Sequence, residues 1–168
     1  MFPAGTVVIA DRSTAGKILC SPRRRAGIGY LVSIGGAQDR EPAGFRYVPE
    51  RLRLVFEDAV TLVDGGQSQS DIERLIRFAR RVDLAKGRVL VHCQSGISRL
   101  SATAAILLSV VGGPGQEGAA LRYVLSSHPV ARPINNVRMR ELGDEALGTG
   151  GALARALRSG VGSSRPRR

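Results

Sequence analysis

The sequence predicts a single-domain α/β sandwich, in which helices flank a mostly parallel sheet of four to five strands. Three observations predict it. The chain has 168 residues, the size of one ordinary domain. Its composition, with 43% hydrophobic and 23% charged residues, is typical of a globular protein. Short aliphatic runs alternate with segments of helical periodicity, which is typical of parallel strands joined by helices.

The strands are predicted from short runs of β-branched or aliphatic residues. The runs are Thr6–Ala10, Ile28–Ser33, Leu52–Phe56 and Val89–His92. Their length and composition indicate buried strands. Helical patterns lie between them or after them, so we expect the strands to pair mostly in parallel.

The clearest helical pattern runs from about Asp71 to Val82. The residues Ser70-Asp71-Ile72-Glu73 are interpreted as a capping box, in which the first and last side chains each satisfy a backbone N–H. Apolar residues at helical spacing form its buried stripe. We expect the arginines on the opposite face to be solvated, with a binding surface as the alternative. They are Arg74, Arg77, Arg80 and Arg81.

Further helices are predicted after the last strand. They run from about Arg99 to Val111, Glu117 to Ser127 and Asn136 to Leu147. Glycine and proline at 112–115, and a His-Pro pair at 128–129, separate them. The mostly apolar stretch from Leu100 to Val111 is too short to span a bilayer and suits a buried helix.

The positive charge of the chain is unevenly distributed and is densest at its end. Residues 149–168 contain five arginines and no acidic residue, with few apolar side chains. We therefore expect one domain over residues 1–148 and a basic, flexible C-terminal tail over residues 149–168. The net charge of the whole chain is +11. A positive field favours anionic partners, although a basic tail is most often solvated.

The cysteine content argues against a secreted disulfide scaffold. There are two cysteines, Cys20 and Cys93, and a scaffold of that kind normally has more. Neither these cysteines nor the two histidines have zinc-finger spacing. No secretory signal is visible, so the expected compartment is the reducing cytoplasm. Cys20 is expected to be a buried small hydrophobe, the alternative being a disulfide partner that protects Cys93.

One segment carries chemistry, between an apolar strand and an apolar helix. It reads His92-Cys93-Gln94-Ser95-Gly96-Ile97-Ser98-Arg99. A histidine before the cysteine and a glycine three positions after it make a chance match rare. A tight loop that enters a helix N-terminus directs several backbone N–H groups at one point, as a phosphate site requires. Arg99 can offer a planar fork to two phosphate oxygens. The same donors stabilise the Cys93 thiolate, so the segment predicts a nucleophile beneath a bound phosphoryl group.

This segment resembles the signature of the cysteine-based protein tyrosine phosphatases, His-Cys-x5-Arg. Its Gly-Ile-Ser-Arg stretch is most similar to the compact dual-specificity-like branch. The resemblance is sharp over about residues 88–104 and looser over about residues 6–148. It implies a phosphatase-like fold and a cysteinyl-phosphate intermediate, with Cys93 as nucleophile and Arg99 binding phosphate and stabilising the transition state. It also implies a phosphate cradle of backbone amides from Gln94 to Arg99, and a bracing role for His92.

The resemblance further implies a general acid on a loop that precedes the cysteine. The pair Glu57-Asp58 follows the third strand-like run, and Asp58, 35 positions before Cys93, is the preferred candidate. Asp64 and Glu57 are the alternatives. A carboxylate beside a bound dianion holds its proton longer, as a general acid must.

One position departs from the pattern of the family. Many members have a hydroxyl residue directly after the arginine, where it helps the thiolate leave the phosphoenzyme, and here that position is Leu100. We therefore expect slower breakdown of the cysteinyl-phosphate without loss of the first step.

The function predicted from these features is hydrolysis of phosphomonoesters, by a protein tyrosine or dual-specificity phosphatase without metal or cofactor. Few residues lie outside the core elements, which favours a shallow cleft and broad specificity. The expected partner is a phosphorylated protein or another phosphomonoester, and no membrane partner is expected. RNA 5′-triphosphates and phosphoinositides are alternative substrates for the same chemistry. The alternatives are a phosphate-binding module without turnover and a thiol-based sulfur-transfer or arsenate-reducing enzyme. A nucleic-acid-binding protein is disfavoured, because no aromatic stacking pattern is visible.

Overall fold

The computed structural model describes residues 2–57, 66–94, 98–127, 137–153 and 155. Within them the strands form a single sheet, and every pairing is parallel. The strands are β1 (Val7–Asp11), β2 (Ile28–Gly35), β3 (Glu50–Val55) and β4 (Arg88–Cys93). Their order across the sheet is β1-β4-β2-β3. The predicted α/β class with a parallel sheet is thus confirmed, with four strands in the described part.

The carboxyl ends of the strands define one edge of the sheet, because all four strands run in the same direction. Asp11, Gly35, Val55 and Cys93 are the last residues of β1, β2, β3 and β4. In open sheets of this kind, ligands bind beyond the carboxyl ends of the strands. We refer to this edge as the carboxyl edge.

Helices cover both faces of the sheet. They are α1 (Arg12–Cys20), α2 (Pro22–Arg25), α3 (Gln69–Ala79), α4 (Ser98–Gly112), α5 (Glu117–Ser127) and α6 (Val137–Leu147). The last three agree with the predicted helices to within a residue at each end. The first two were not predicted. α1 has few large apolar side chains, and its buried residues are Ala15, Gly16 and Leu19.

The start of α3 differs from the prediction. The predicted box began at Ser70, whereas the observed N-cap is Ser68, and the helix starts two residues earlier than expected. The Ser68 hydroxyl accepts from the Asp71 N–H at 3.2 Å, and the Asp71 carboxylate accepts from the Ser68 N–H at 3.0 Å. Two overlapping patterns in the sequence fit a capping box, and the fold uses the first one.

The hydrophobic core lies in two layers. The larger layer packs α3, α4, α5 and α6 against one face of the sheet, and Cys93 and Leu100 belong to it. The smaller layer packs α1 and a short 3-10 helix (Phe45–Tyr47) against the other face. Both layers pack against the sheet, so the strands that end at the carboxyl edge are held in place by the core.

The cysteines occupy different environments. Cys93 is buried, whereas Cys20 is exposed at the end of α1. The expectation that Cys20 is buried is therefore wrong. α1 begins at the carboxyl edge, and its nine residues carry Cys20 about 13 Å away from that edge along the helix axis. No disulfide joins the two cysteines.

The segment expected to form the tail begins with residues that contact the domain. Leu153 is buried in the larger core layer, and its N–H donates to the Asp144 carboxylate at 2.9 Å. Residues 156–168 lie outside the described residues. Within the part of the chain that the structure covers, no helix is long and apolar enough to cross a membrane.

Candidate active site

Cys93 lies at the carboxyl edge, as the last residue of β4. It pairs in register with Asp11 of β1, and its side chain is buried against the larger core layer. Gln94 follows it and is exposed, and the chain enters α4 at Ser98. Ser95, Gly96 and Ile97, which the sequence assigns to the phosphate cradle, lie outside the described residues, as does the side chain of Ser98.

Arg99 is the second residue of α4, and its side chain is nearly completely buried at 6% exposure. Its Nη1 donates to the carbonyl oxygen of Phe56 at 3.0 Å. Its Nε is buried and has no hydrogen-bond partner among the described residues. A buried charged donor without an acceptor is costly. An anion bound at this edge would supply the missing acceptor.

The Arg99 contact joins α4 to the segment that leads towards the candidate acids. Phe56 directly follows β3, and its N–H donates to the carbonyl of Gly35 at 2.9 Å. The Phe56 carbonyl accepts from Arg99. The N–H and the carbonyl of Phe56 are therefore both hydrogen-bonded, which holds the chain in place before residue 58.

Glu57 is the only one of the three candidate acids that lies within the described residues. Asp58 and Asp64 lie outside them. The Glu57 side chain is exposed, and its Oε1 accepts from the Ala37 N–H at 3.2 Å. The carboxylate lies over Gly36, where a Cβ would overlap it. Glu57 therefore ties the start of this segment to the loop that follows β2.

His92 precedes Cys93 on β4, so its side chain points to the opposite face of the sheet. The ring is fully buried, and its Nε2 lies 2.7 Å from the Ser33 hydroxyl of β2. Its Nδ1 is buried and has no hydrogen-bond partner among the described residues.

The His92 ring is neutral near pH 7. Burial is the largest cause that lowers the pKa of His92, to about 4, and the charges of Arg53 and Arg12 lower it further. The backbone of Cys93 and the carboxylate of Asp11 act in the opposite direction. A neutral, enclosed imidazole suits a bracing role better than proton transfer.

Ser33 also contacts a charged side chain of the neighbouring strand. Arg53 of β3 donates from Nη1 to the Ser33 hydroxyl at 2.8 Å and from Nη2 to the Asp39 carbonyl at 2.7 Å. Ser33 pairs in register with both Arg53 and His92, so the three side chains form a row across β3, β2 and β4. We call this set the His92–Ser33–Arg53 row. The sequence analysis missed Ser33 and Arg53, although a polar residue inside each apolar strand was a visible signal.

Asp11 lies beside Cys93 in the sheet but is engaged with its own helix. Its carboxylate accepts from the Thr14 N–H at 2.8 Å and from the Thr14 hydroxyl at 2.9 Å. These bonds hold the pKa of Asp11 below its usual value. Asp11 is therefore the N-cap of α1, and it stays ionised at neutral pH.

Comparison with known proteins gives structural matches only. No protein-family model and no curated protein matches the chain. The crystal structure of human DUSP28 matches with a TM-score of 0.64 at 22% identity, over 89% of this chain and 93% of its own. A mouse putative dual specificity phosphatase complexed with zinc tungstate matches with a TM-score of 0.62 at 23% identity, over 90% of this chain and 87% of its own. PTPMT1 in complex with PI(5)P matches with a TM-score of 0.59 at 15% identity, over 87% of this chain and 95% of its own. The chain therefore has the fold of the dual-specificity and protein tyrosine phosphatases.

Proposed function

We propose that this chain is a phosphomonoester hydrolase, a protein tyrosine or dual-specificity phosphatase that forms a cysteinyl-phosphate on Cys93. The observation that carries the proposal is the buried guanidinium of Arg99, at the same sheet edge as Cys93, with Nε lacking a partner among the described residues. A phosphoryl group is the ligand that suits such a donor near a helix N-terminus. The fold shared with solved phosphatases supports the same activity.

The first step transfers the phosphoryl group to sulfur. The Cys93 thiolate attacks phosphorus, so a P–S bond forms as the bond from phosphorus to the leaving oxygen breaks. Asp58 gives its proton to that oxygen, and the product alcohol or phenol departs neutral. Arg99 and the backbone amides from Gln94 to Arg99 hold the equatorial oxygens, over which negative charge is spread in the transition state.

The second step returns the enzyme to its starting state. Water attacks the phosphorus of the cysteinyl-phosphate and gives a proton to the Asp58 carboxylate. The P–S bond breaks, and inorganic phosphate and the Cys93 thiolate are released. His92 takes no proton in either step, because its ring stays neutral and buried.

The proposed substrate is a phosphorylated protein. The connection between β2 and β3 spans only residues 36–49, which favours a shallow cleft that admits phosphoserine and phosphothreonine as well as phosphotyrosine. PTPMT1, solved with PI(5)P, makes a phosphoinositide the main competitor, and an RNA 5′-triphosphate is the other. All residues proposed for catalysis lie within residues 1–148, the expected domain, and a thiol nucleophile suits the reducing cytoplasm.

The first experiment measures hydrolysis of para-nitrophenyl phosphate with a chelator present. We expect Cys93→Ser to abolish hydrolysis, since the hydroxyl is a far weaker nucleophile than a thiolate. Cys20→Ser is the matched control and should keep the wild-type rate, because Cys20 is exposed and far from the carboxyl edge. Hydrolysis that survives in Cys93→Ser would overturn the proposal. A folded, reduced wild type that binds phosphopeptide without releasing phosphate would favour a binding module.

A second experiment identifies the acid and the substrate class. Asp58→Asn should lower kcat strongly on a phosphotyrosine peptide and less on para-nitrophenyl phosphate, whose leaving group needs little protonation. Asp64→Asn and Glu57→Gln are the controls. A larger loss of kcat in either of them than in Asp58→Asn would assign the role of general acid to that residue. A kcat/KM higher on PI(5)P or on RNA 5′-triphosphate than on phosphopeptides would overturn the choice of a protein substrate.

A further inference from the structure

We propose that Arg53 and Ser33 are positioning residues, which fix the ring of His92 and thereby the end of β4 that carries Cys93. The inference rests on the function proposed above for Cys93. It assigns a role in that function to two residues outside the signature segment, 39 and 59 positions before His92.

The geometry of the His92–Ser33–Arg53 row is that of a relay of hydrogen bonds. The bond lengths are 2.8 Å from Arg53 Nη1 to the Ser33 hydroxyl and 2.7 Å from that hydroxyl to His92 Nε2. Ser33 and His92 are both fully buried. Water therefore has no access to replace either bond, and the loss of one partner leaves a buried polar group unsatisfied.

The row also determines which ring nitrogen of His92 carries the proton. A guanidinium can only donate, so the Ser33 oxygen accepts from Arg53. The positive charge polarises the hydroxyl and makes it a better donor, and its proton goes to His92 Nε2. The ring proton then lies on Nδ1, which is buried.

Both terminal nitrogens of the Arg53 guanidinium form hydrogen bonds within the protein. Nη1 is used by Ser33 and Nη2 by the Asp39 carbonyl. The row lies on the sheet face opposite Cys93, because His92 and Cys93 are adjacent along β4. The hydrogen bonds of Arg53 therefore reach the end of β4 through Ser33 and His92, while its positive charge also acts on Arg99.

The charged groups around the His92 ring support the same assignment. Arg53 and Arg12 oppose protonation of the ring, and Asp11 favours it. The carboxylate of Asp11 is already engaged with Thr14. Arg53 thus combines two effects on His92, a hydrogen bond relayed through Ser33 and a positive charge that favours the neutral ring.

The test uses Arg53→Met and Ser33→Ala in the full chain, with Arg51→Met as matched control. Arg51 lies two residues earlier on β3 and donates to the carbonyls of Val48 and Pro49, at 3.0 and 3.4 Å, rather than to Ser33. Met keeps the apolar stem of arginine and loses its charge and donors. Circular dichroism and thermal melting establish that each variant is folded, and Arg53→Lys, which restores the charge, tests rescue.

The first readout is the tautomer and the titration of His92 by nitrogen-15 NMR. The chain has only two histidines, so His128→Gln assigns the signals. We expect the Nδ1–H tautomer in wild type and in Arg51→Met. In Arg53→Met the ring is expected to populate both tautomers and to protonate at higher pH, and Ser33→Ala is expected to lose the preference for Nδ1–H. An Nε2–H ring in wild type, or an unchanged ring in Arg53→Met, would overturn the proposal.

The second readout separates kcat from KM on para-nitrophenyl phosphate. A displaced Cys93 should lower kcat about tenfold in Arg53→Met with little change in KM. Arg53→Lys should recover part of kcat, and Arg51→Met should keep all of it. An equal loss of kcat in Arg51→Met would mean that Arg53 has only a structural role. If wild type hydrolyses nothing, the proposed function fails, while the NMR readout still decides whether the row orients His92.

Discussion

Leu100 is the residue at which packing and the proposed chemistry compete. It follows Arg99 on α4, and its side chain is fully buried in the larger core layer. In many of the phosphatases that this segment resembles, a hydroxyl at the corresponding position assists the departing thiolate. A leucine supplies dispersion contacts and no hydrogen bond, so the second step of the proposed mechanism is expected to lack that assistance.

The expected consequence is a kinetic burst. In rapid mixing with para-nitrophenyl phosphate, wild type should release nitrophenol at once in an amount close to that of the enzyme, followed by a slower steady rate, because the cysteinyl-phosphate breaks down slowly. Leu100→Ser should raise the steady rate. It should also lower the free energy of unfolding by about 2–5 kcal/mol, since it leaves a cavity in the core.

The matched control for this variant is Leu107→Ser. Leu107 is also fully buried on α4 and belongs to the same core layer. The Leu107→Ser variant should have a similarly lowered free energy of unfolding in urea, and it should show the same burst as wild type. A wild type without a burst would contradict the expectation for Leu100.

At the scale of elements, the start of α3 depends on contacts that precede the helix. Gln67, just before the N-cap, is buried, and Gly66 forms an isolated parallel bridge with Glu57. These contacts position the chain just before Ser68, whose φ of −107° and ψ of 164° are those of an N-cap. The helix therefore begins at Gln69 and not at Asp71.

Two serine variants test this assignment. Ser68→Ala should lower the free energy of unfolding by about 1 kcal/mol, because the Asp71 N–H loses its side-chain acceptor and keeps only the Ser68 carbonyl. Ser70→Ala is the control, and it should leave stability unchanged or slightly raised, since Ser70 is exposed inside the helix and alanine has the higher helix propensity. Urea unfolding at neutral pH measures both variants. A larger loss in Ser70→Ala would favour the capping box that the sequence predicted.

At the scale of the whole molecule, the buried His92 makes stability depend on pH. Its pKa is lowered to about 4 in the folded chain, from an ordinary value of 6.5. Between these two values the unfolded chain binds a proton that the folded chain does not. Stability therefore rises with pH across this window and is unaffected by His92 above it.

The expected loss from pH 6.5 to pH 4 is about 3 kcal/mol. Urea unfolding at pH 7, 5.5 and 4 measures it, and His92→Gln should show a flatter profile over the same range. The lowered pKa of Asp11 adds a further loss only below its ordinary value of 3.8. A wild-type profile as flat as that of His92→Gln would contradict the burial argument.

The sequence by itself determined the parallel α/β class and the placement of Cys93 and Arg99 in one short segment between a strand and a helix. Both depend on local patterns, namely the alternation of strand and helix periods and the spacing within a strand–loop–helix unit. Only the tertiary structure decided the capping residue of α3, the exposure of Cys20 and the His92–Ser33–Arg53 row. Ser33 and Arg53 meet His92 because β2 lies between β4 and β3 in one particular register. Strand order and register follow from the packing of residues distant in the chain, so no local pattern encodes them.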